Sequence, residues 1–578
     1  MNCKRIKTGL FIMILCIMTV LMCPGAGVFA KSKKAGSTYR FDKEKITLYT
    51  GWDSYLCDVV GTGEEYDISY YSDDNEIAVI SPEGEIFPVS EGSTTVFADV
   101  TEGGKTTTCS MKVTVKAPYS KLADSTDVMT LNDTFRFKLK RYGHEEPVTW
   151  TLQGEGYAEI TAEGATDCII KTLKPGKVTL TASCMGETFT TDIKIYNGEG
   201  TLFIINPDSE PYNSNYVKYG TYNSKTKGYY LLRSYLERLN TLKGGVLVLQ
   251  KGTYTVTNSL CIPSNTTIIL EDGATIKKTD DTGSKSLTAT ASLFQTVSYT
   301  NASKEGVFKG YNGEHDIQIL GEGRACIDLN NIMCQGIVSA HCKNLTISGI
   351  SFFNMNTYHF IELDASCNVH ITNNFFYGAS ESQTTRKEAI NIDTPDKATG
   401  GFHQLWTSYD KTPNKDIYIT DNIFYEVECG IATHKYSEGS AHKNINILRN
   451  TFFDIKTYAI RCMNWDKPVI KENCFIYSEV PELELVSIIV NGSVNPLITE
   501  NRFENTVRPV SFYHWRNTGY GKEYSPIYNK LDTAYADALK KNYLKNSTNT
   551  YYEYYNVLDD FEEENLDIYF MNGYPTEK

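Results

Sequence analysis

A short pattern of apolar and polar positions recurs in the second half of the chain. An Ile is followed three positions later by an Asn and five positions later by a Phe. The pattern occurs in Ile371–Phe376, Ile419–Phe424, Ile447–Phe452, Ile470–Phe475 and Ile498–Phe503. Its Asn residues are 48, 28, 23 and 28 positions apart, which predicts coils of 23–28 residues, with two coils in the first interval.

A repeat of this length indicates a solenoid, because a single coil cannot bury its apolar face and must stack on its neighbours. The recurring Asn is expected at a tight bend, where its side chain binds backbone groups and the Asn of the next coil in a ladder. The Phe is expected to stack inside the coils. The last part of the chain, with a helical segment at Ala534–Tyr543, is predicted to cover the open end.

The start of the solenoid also has a pattern of its own. Apolar residues at helical spacing in Tyr230–Leu239 predict an amphipathic helix, and the apolar segments Val246–Leu249 and Thr266–Leu270 predict short strands after it. This order of elements resembles the pectate-lyase superfamily, in which a helix covers the first coil. The resemblance implies a right-handed parallel β-helix over residues 201–578, with a cap at each end.

The region before the solenoid has a different texture. Residues 38–116 alternate polar and apolar positions between turn residues, as the strands of a β-sandwich do. The segments Tyr71–Ile80 and Gly92–Val96 resemble the bacterial immunoglobulin-like (group 2) repeat, and residues 118–197 resemble a divergent second copy. The predicted fold class is therefore all-β, with two immunoglobulin-like β-sandwich domains, serving as spacers or surface attachments, before the β-helix. Cys57 and Cys109 are candidates for a disulfide between the two sheets of the first domain.

Residues 1–30 have the layout of a secretory signal peptide. Lys4, Arg5 and Lys7 precede the apolar run Gly9–Met22, and a small-residue cleavage site follows at Ala30. We therefore expect a secreted or extracellular protein, either released or held at the cell surface or extracellular matrix through its immunoglobulin-like domains. The formal net charge of −14 argues against nucleic acid as a partner, and a monomer is expected.

Sorting strand residues by face predicts where chemistry is located. With each Ile taken as inward and its neighbours as outward, five polar side chains gather on one sheet face: Glu362, Asn391, Asp393, His434 and Arg461. Carboxylates beside an imidazole and a guanidinium suit general acid–base catalysis on a sugar chain. Small residues are expected on the same face, where they would leave room for a polysaccharide: Ala389, Gly430, Ala432 and Ala459.

The arrangement resembles the polygalacturonases, whose active site lies on one sheet face of such a helix. Glu388, before Ala389-Ile390, stands where that family has an Asp before Gly-Ile, so the resemblance makes Glu388 a candidate catalytic residue. The paired acids of that family correspond here to Glu428 and Cys429, so only one acid is kept. The Gly-His-Gly and Arg-Ile-Lys signatures are not reproduced, which leaves pectin hydrolysis open.

The segment Thr394–Lys415 interrupts the coil and is predicted to form a long loop over the groove. Trp406 in this loop is expected either to stack on a sugar ring or to pack the loop onto the helix. The candidate substrate-binding residues are Asn391, Lys435, Trp406 and His403.

Two reactions and one non-catalytic role stay open at this point. Hydrolysis would use two carboxyl groups, such as Glu362 and Asp393, as acid and as base or nucleophile. Elimination would use Arg461, His434 or Lys435 beside a uronate, with calcium held by the same two carboxylates as the one cofactor considered. No other metal site is predicted. The alternative is a non-catalytic adhesin or glycan-binding surface protein.

Overall fold

The computed structural model describes residues 39–546, except 53, 62–64, 380–386 and 481–484, together with strands Glu553–Val557 and Leu566–Phe570. The predicted signal peptide lies outside the described residues. The chain divides into two compact units, Met1–Ile195 and Tyr196–Lys578. In the part of the chain that is described, no helix has both the length and the apolar character that a membrane span requires.

The first unit contains two β-sandwich modules in succession. In each module, side chains of two sheets meet in one core: Ile86 packs with Val96 in the first, and Phe137 with Leu180 in the second. The modules share a strand arrangement, because the last strand of each pairs in parallel with an early strand and antiparallel with the strand before it. This shared arrangement is what a repeated module would produce.

The strands of the first module are Arg40–Phe41 with Val59–Val60, then Lys45–Tyr49, Lys105–Lys116, Gly92–Glu102 and Asp67–Ser72 in one sheet, and Tyr55–Leu56, Glu85–Pro88 and Ala78–Ile80 in the other. The strands of the second module are Tyr119–Asp124, Thr134–Tyr142, Asp167–Thr172 and Ala158–Glu163 in one sheet, and Val128–Met129, Glu187–Ile195, Gly176–Cys184 and Thr149–Gln153 in the other.

The cysteines of the first module do not form the disulfide considered from the sequence. Cys57 donates a hydrogen bond to the carbonyl of Gly84, and Cys109 donates one to the carbonyl of Ala98. All twelve cysteines among the described residues are free thiols. The compactness of this module therefore comes from its apolar core rather than from a covalent link between its sheets.

The second unit is a right-handed parallel β-helix, which agrees with the solenoid that the repeat predicts and with the fold that the resemblance implies. Its first strand is Leu202–Ile205, and the helix Lys227–Leu242 packs Leu231, Leu236 and Leu239 into the core of the first coils. Three long sheets run along the solenoid, and each strand pairs with the strand one coil before it and one coil after it. Shorter helical segments lie at Ser214–Lys218, Tyr299–Ala302 and Thr533–Leu539.

The first sheet contains Leu202–Ile205, Gly245–Leu249, Thr266–Leu270, His315–Gly321, Lys343–Ser348, Cys367–Thr372, Lys415–Thr420, His442–Leu448 with Trp465–Asp466, Val469–Lys471 and Leu497–Thr499. The second contains Gly252–Val256, Ala274–Lys278, Cys326–Asp328, Ser351–Met355, Phe375–Ala379, Ile423–Tyr425, Thr451–Phe453, Cys474–Ile476, Arg502–Glu504 and Tyr543–Lys545. The third, named the groove sheet below, contains Leu260–Cys261, Ser292–Gln295, Gln335–Ala340, Ile361–Asp364, Glu388–Asp393, Cys429–Ala432, Tyr458–Met463, Val486–Asn491, Arg508–Tyr513, Glu553–Val557 and Leu566–Phe570.

The recurring Asn forms a buried ladder at the bend between the first and second sheets. Asn450, for example, accepts hydrogen bonds from the backbone and side-chain amides of Asn422, and donates its own amides to Asn473 at 2.8 and 3.0 Å. The same contacts continue through Asn501 to Asn542, a sixth member outside the predicted pattern. The members of this inner ladder are Asn374, Asn422, Asn450, Asn473, Asn501 and Asn542.

The recurring Phe forms a stack parallel to the inner ladder. From Phe352 to Phe503, the rings of successive coils are stacked with centroids 4.7–5.0 Å apart. This spacing is close to the distance between paired strands, so each ring covers the ring of the previous coil. The ladder and the ring stack together fix the register of the coils.

The interval of 48 residues between Asn374 and Asn422 holds one coil, so the prediction of two coils was wrong. Phe376 is the strand partner of Phe424, and the two Asn side chains bond each other directly. The additional residues follow the groove-sheet strand Glu388–Asp393 and include the loop 394–414, which leaves the coil and returns to it. The spacing between Asn residues is a number of residues only. A long insertion in one coil lengthens this spacing just as a second coil would.

Candidate functional site

The groove sheet brings its polar side chains together through its register. Glu362 is paired with Asn391, and Asp364 with Asp393, on adjacent coils. The intervening residues Ile361 and Leu363 point into the core of the solenoid. Alternation along these strands therefore leaves the acidic side chains on the opposite face.

A cavity of about 660 Å³ lies over this face. Its floor comes from the groove sheet, one wall from the loop 394–414, and another from the segment 518–520. Six of the residues predicted from the sequence line it: Glu362, Asn391, Asp393, His403, His434 and Lys435. The cavity is named the groove below.

Glu362 is held by hydrogen bonds from both of its neighbouring coils. Gln335 donates to Oε2 at 3.0 Å and Asn391 donates to Oε1 at 2.9 Å, while Nε2 of His359 lies 3.5 Å from Oε2. Only 2% of the residue is exposed. Burial raises the pKa of Glu362 to about 7, although the two amide donors oppose the rise.

Asp393 is the last residue of its groove-sheet strand and is as buried as Glu362. Its Oδ1 accepts hydrogen bonds from the backbone amides of His434 at 2.8 Å and Lys435 at 3.3 Å. Burial raises the pKa of Asp393 to about 7; the nearby His434 lowers it, and the negative charge of Glu362 raises it further. Glu362 and Asp393 therefore compete for ionisation.

Asp364 lies between these two carboxyl groups and is fully buried. No amide, hydroxyl or amine among the described residues donates to its carboxylate oxygens, and its side-chain hydrogen bond is the one it shares with the carboxyl group of Glu362. Burial, followed by the charges of Glu362 and Asp393, raises the pKa of Asp364 well above its ordinary value. At neutral pH the fold thus favours the protonated form of this side chain.

Glu388 lies beneath the groove rather than on its surface. Tyr458 donates a hydrogen bond to Oε1 at 2.7 Å, and Nδ1 of His359 is 3.6 Å from Oε2. Burial raises the pKa of Glu388, but His434, His359 and the Tyr458 hydroxyl outweigh burial and lower the pKa below its ordinary value. Burial lowers the pKa of His359 and of His434.

Two of the predicted residues are placed away from the groove. The Arg461 guanidinium lies 4.5 Å from the ring centroid of Trp515, and its Nε donates to Asn491 at 2.8 Å. Trp406 is fully buried in a cluster with Phe308 and Phe402, and its Nε1 donates to Gln295 at 3.1 Å. Of the two expectations for Trp406, packing the loop onto the helix is the one observed.

The small residues do not open the groove as expected. Ala389 and Ala459 belong to the apolar core of the solenoid, and a Cβ at Gly430 would lie 2.3 Å from the carbonyl oxygen of Ala459. Ala432 packs against Cys429 and Tyr458. Strict alternation fails here because consecutive residues, Ala389 and Ile390, both pack into the core at the start of the strand.

Three site residues were missed from the sequence. Asp364 stands two positions after Glu362, so the rule that assigned Glu362 to the outer face applies to it equally. Gln335 and His359 each lie at the start of a strand or just before one, where alternation gives no assignment. Among the described residues, no group of three or more His, Cys, Asp or Glu has the arrangement needed to hold a metal ion.

No protein-family model and no curated protein matches the chain. Solved structures are similar to it in part. The surface adhesin PfbA of Streptococcus pneumoniae is 18% identical over 56% of this chain and 85% of that chain, with a TM-score of 0.40. The A-module of the mannuronan C-5 epimerase AlgE6 of Azotobacter vinelandii is 14% identical over 56% of this chain and 84% of that chain, with a TM-score of 0.39. The family 28 exopolygalacturonase of Yersinia enterocolitica is 12% identical over 72% of this chain and 94% of that chain, with a TM-score of 0.36.

Proposed function

We propose that this protein is an extracellular carbohydrate-active enzyme that cleaves a polysaccharide bound in the groove. The observation that supports this most directly is the pair of groove-lining carboxyl groups, Glu362 and Asp393, whose pKa values both rise to about 7. Ionisation of one raises the pKa of the other, so near neutral pH one group keeps a proton while the other is charged. Such a pair supplies an acid and a base at the same pH.

Hydrolysis is the reaction that this pair suits best. The two residues lie on adjacent coils, offset by two positions, which separates their Cα atoms by roughly 8 Å given the strand spacing and rise of a sheet. Carboxyl groups on Cα atoms at this distance can reach either the close spacing of retaining glycosidases or the wider spacing of inverting ones, so the anomeric configuration of the first product decides between the two. Asp393, whose Oδ1 is bound by two backbone amides, is assigned as the acid, and Glu362, held by Gln335 and Asn391, as the base.

Elimination from a uronate is the second reaction to test, because cationic groups also line the groove. The amines of Lys387 and Lys435 both belong to residues that line the groove. Their charges would offset the developing anion of a uronate. Calcium, the cofactor considered from the sequence, would be held by Glu362 and Asp393 and would neutralise them instead.

A non-catalytic adhesin is the alternative, and one observation favours it. Glu388 is tied to Tyr458, and Arg461 is tied to Trp515 and Asn491, so neither is directed into the groove. A protein that only binds glycans has no need of an acid and a base. The N-terminal modules would serve either role by holding the β-helix near a cell surface or matrix, and secretion would follow from the predicted signal peptide.

The experiment is a cleavage and binding screen of the full chain against plant, microbial and host polysaccharides. New reducing ends report hydrolysis, and ultraviolet absorbance of unsaturated uronates reports elimination; each assay is run with calcium and with a chelator. The variants Glu362→Gln and Asp393→Asn should abolish either signal, whereas Glu438→Gln, an exposed carboxyl outside the groove lining, should not. Binding that survives without any cleavage, in the wild type as in the variants, would favour the adhesin.

A further inference from the structure

A second cavity, of about 430 Å³, lies beside the groove. Its lining comes from the loop 394–414 and from Tyr520. Three residues line both cavities: Gly400, His403 and Tyr520. The two cavities therefore share one wall, which is named the ridge below and consists of these three residues.

Gly400 keeps the ridge narrow. A Cβ at this position would lie 3.8 Å from the Tyr520 ring and 3.9 Å from Cε1 of His403, so a side chain here would fill the space between the two rings. The φ of Gly400 is +63°, in the left-handed region that favours glycine. A ligand that leaves the groove across the ridge passes between a tyrosine and an imidazole.

Tyr520 is the most exposed part of the ridge, with 76% of its surface in solvent. It lies on a turn between Gly519 and Gly521, and the residues before that turn are bonded to the neighbouring segment 435–436. Lys435 donates to the carbonyl of Thr518, and Asn517 donates to the carbonyl of Tyr436 at 2.8 Å. A large aromatic side chain presented to solvent on an anchored backbone is an efficient ligand contact, because little conformational entropy is lost when a ligand binds it.

The second cavity combines apolar and polar walls. Phe402 is buried against Trp406, with ring centroids 5.3 Å apart, and provides the apolar part. The Lys397 amine lies 5.0 Å from the ring centroid of Tyr409 and provides a hydrogen-bond donor. Aromatic faces beside a few polar groups match a sugar ring, which has an apolar face of C–H groups and a rim of hydroxyls.

We propose that the second cavity is a further sugar-binding subsite, reached by the part of a glycan chain that extends from the groove across the ridge, with Tyr520 as its stacking platform. This inference rests on the proposed function of the groove as a glycan site. It concerns binding rather than cleavage, so a short glycan occupies only the groove and a longer one occupies both cavities. Affinity should therefore rise with chain length, and the rise should depend on Tyr520.

The test measures binding of size-graded oligosaccharides to the full chain by calorimetry. The probes are oligogalacturonides from disaccharide to octasaccharide, with a neutral xylo-oligosaccharide series alongside. The variant Tyr520→Ala should bind the longest oligosaccharides about tenfold more weakly than the wild type, and the loss should be much smaller for the shortest ones, for which Tyr520 is only one of many groove-lining residues. Tyr520→Phe, which keeps the ring, should behave like the wild type, as should Tyr528→Ala, a tyrosine that is 52% exposed and lies in neither lining.

The inference is supported if the length dependence is present in the wild type, absent in Tyr520→Ala and restored in Tyr520→Phe. It is overturned if Tyr520→Ala keeps the wild-type length dependence, or if the wild type binds neither series. Failure of the proposed cleavage looks different, because it leaves the length-dependent binding intact while no product forms. Melting temperatures of the variants establish that the exposed substitution has not changed the fold.

Discussion

Two faces of the same solenoid treat buried polar groups in opposite ways. Along the inner ladder, Asn450 contacts the Asn residues above and below it, and its remaining amide hydrogen reaches the carbonyl of Ile419 at 2.8 Å. Along the groove sheet, Asp364 is equally buried, but no amide, hydroxyl or amine among the described residues donates to it, and its neighbours are the carboxyl groups of Glu362 and Asp393. One face satisfies its polar groups, and the other concentrates carboxyl groups that oppose one another's ionisation.

The difference shows that the ladder face stabilises the fold, whereas the groove face lowers its stability. An amide ladder whose hydrogen bonds are all formed contributes stability on every coil. Removing one member takes hydrogen-bond partners away from the neighbouring members on both sides. Buried carboxyl groups that repel one another lower stability at neutral pH, and such sites persist in proteins where they serve a purpose. This contrast supports a functional groove independently of any relative, and four changes would break or sharpen it.

The largest effect is expected for Asp393→Asn on cleavage. Removal of a positioned acid should lower kcat/KM by about 10³-fold, which corresponds to about 4 kcal/mol of transition-state stabilisation. In the wild type, kcat/KM should also fall as pH rises through about 7, because the acid must be protonated and burial holds the pKa of Asp393 near that value. Initial rates across pH on the polysaccharide found in the screen provide the measurement. Rates within threefold of the wild type would remove Asp393 from the mechanism.

The next largest effect is expected for Asn450→Ala on stability. The substitution removes the acceptor of the Asn422 backbone amide, one of the acceptors of the Asn422 side-chain amide and the side-chain donor to the carbonyl of Ile419, so the free energy of unfolding should fall by about 3 kcal/mol. Cleavage by the folded variant should stay at the wild-type rate, because the inner ladder lies on another side of the coil. Urea unfolding followed by circular dichroism measures the change. If the free energy of unfolding falls by less than about 1 kcal/mol, the ladder sets the register of the coils but contributes little to the stability of the fold.

The sequence predicts the ladder better than the groove, for a physical reason. Every coil repeats the bend, so the period, the Asn at the bend and the Phe inside it can be read from five copies. The loop after Asp393 occurs once, and its length is indistinguishable from a further coil when only Asn spacing is counted. The misassigned interval of 48 residues follows directly from this.

Strand alternation alone predicts the positions of some groove residues correctly and of others incorrectly. Glu362 and Asp393 line the groove as alternation predicts. Each is next to an inward-facing core residue of a regular strand, so its own side chain faces outward. Arg461 also points outward, but Trp515 and Asn491, from later coils, hold its side chain. The two-residue alternation of a strand gives the face on which a side chain lies, but it cannot identify partners so distant in sequence. Trp406 has the same difficulty, since an aromatic residue in a loop packs inward or outward according to what lies beneath it.

A smaller effect, with the opposite sign, is expected for Asp364→Asn. The raised pKa of Asp364 means that its protonated form favours the fold; the stability is fully present below the ordinary carboxyl pKa and is lost as pH rises. An amide cannot ionise, so the variant should be more stable than the wild type by about 2 kcal/mol at alkaline pH and nearly equal in acid. Thermal unfolding at about pH 5 and about pH 9 measures both ends. A variant that is less stable at the alkaline end would show that the carboxylate has a partner in solution.

The smallest effect is expected on the outer surface, where Asn444 donates to Asp416 at 2.7 Å and has a φ of 51°. Replacing Asn444 with Ala removes the hydrogen bond and puts a residue that tolerates the left-handed region less well than Asn at this position, so stability should fall by about 1 kcal/mol. Asn444→Gly removes the same hydrogen bond without the backbone strain and should cost about half as much. Urea unfolding of the pair separates the two contributions. If both variants lose as much as Asn450→Ala, exposed and buried amides contribute equally, and burial is not what distinguishes the inner ladder from the rest of the solenoid.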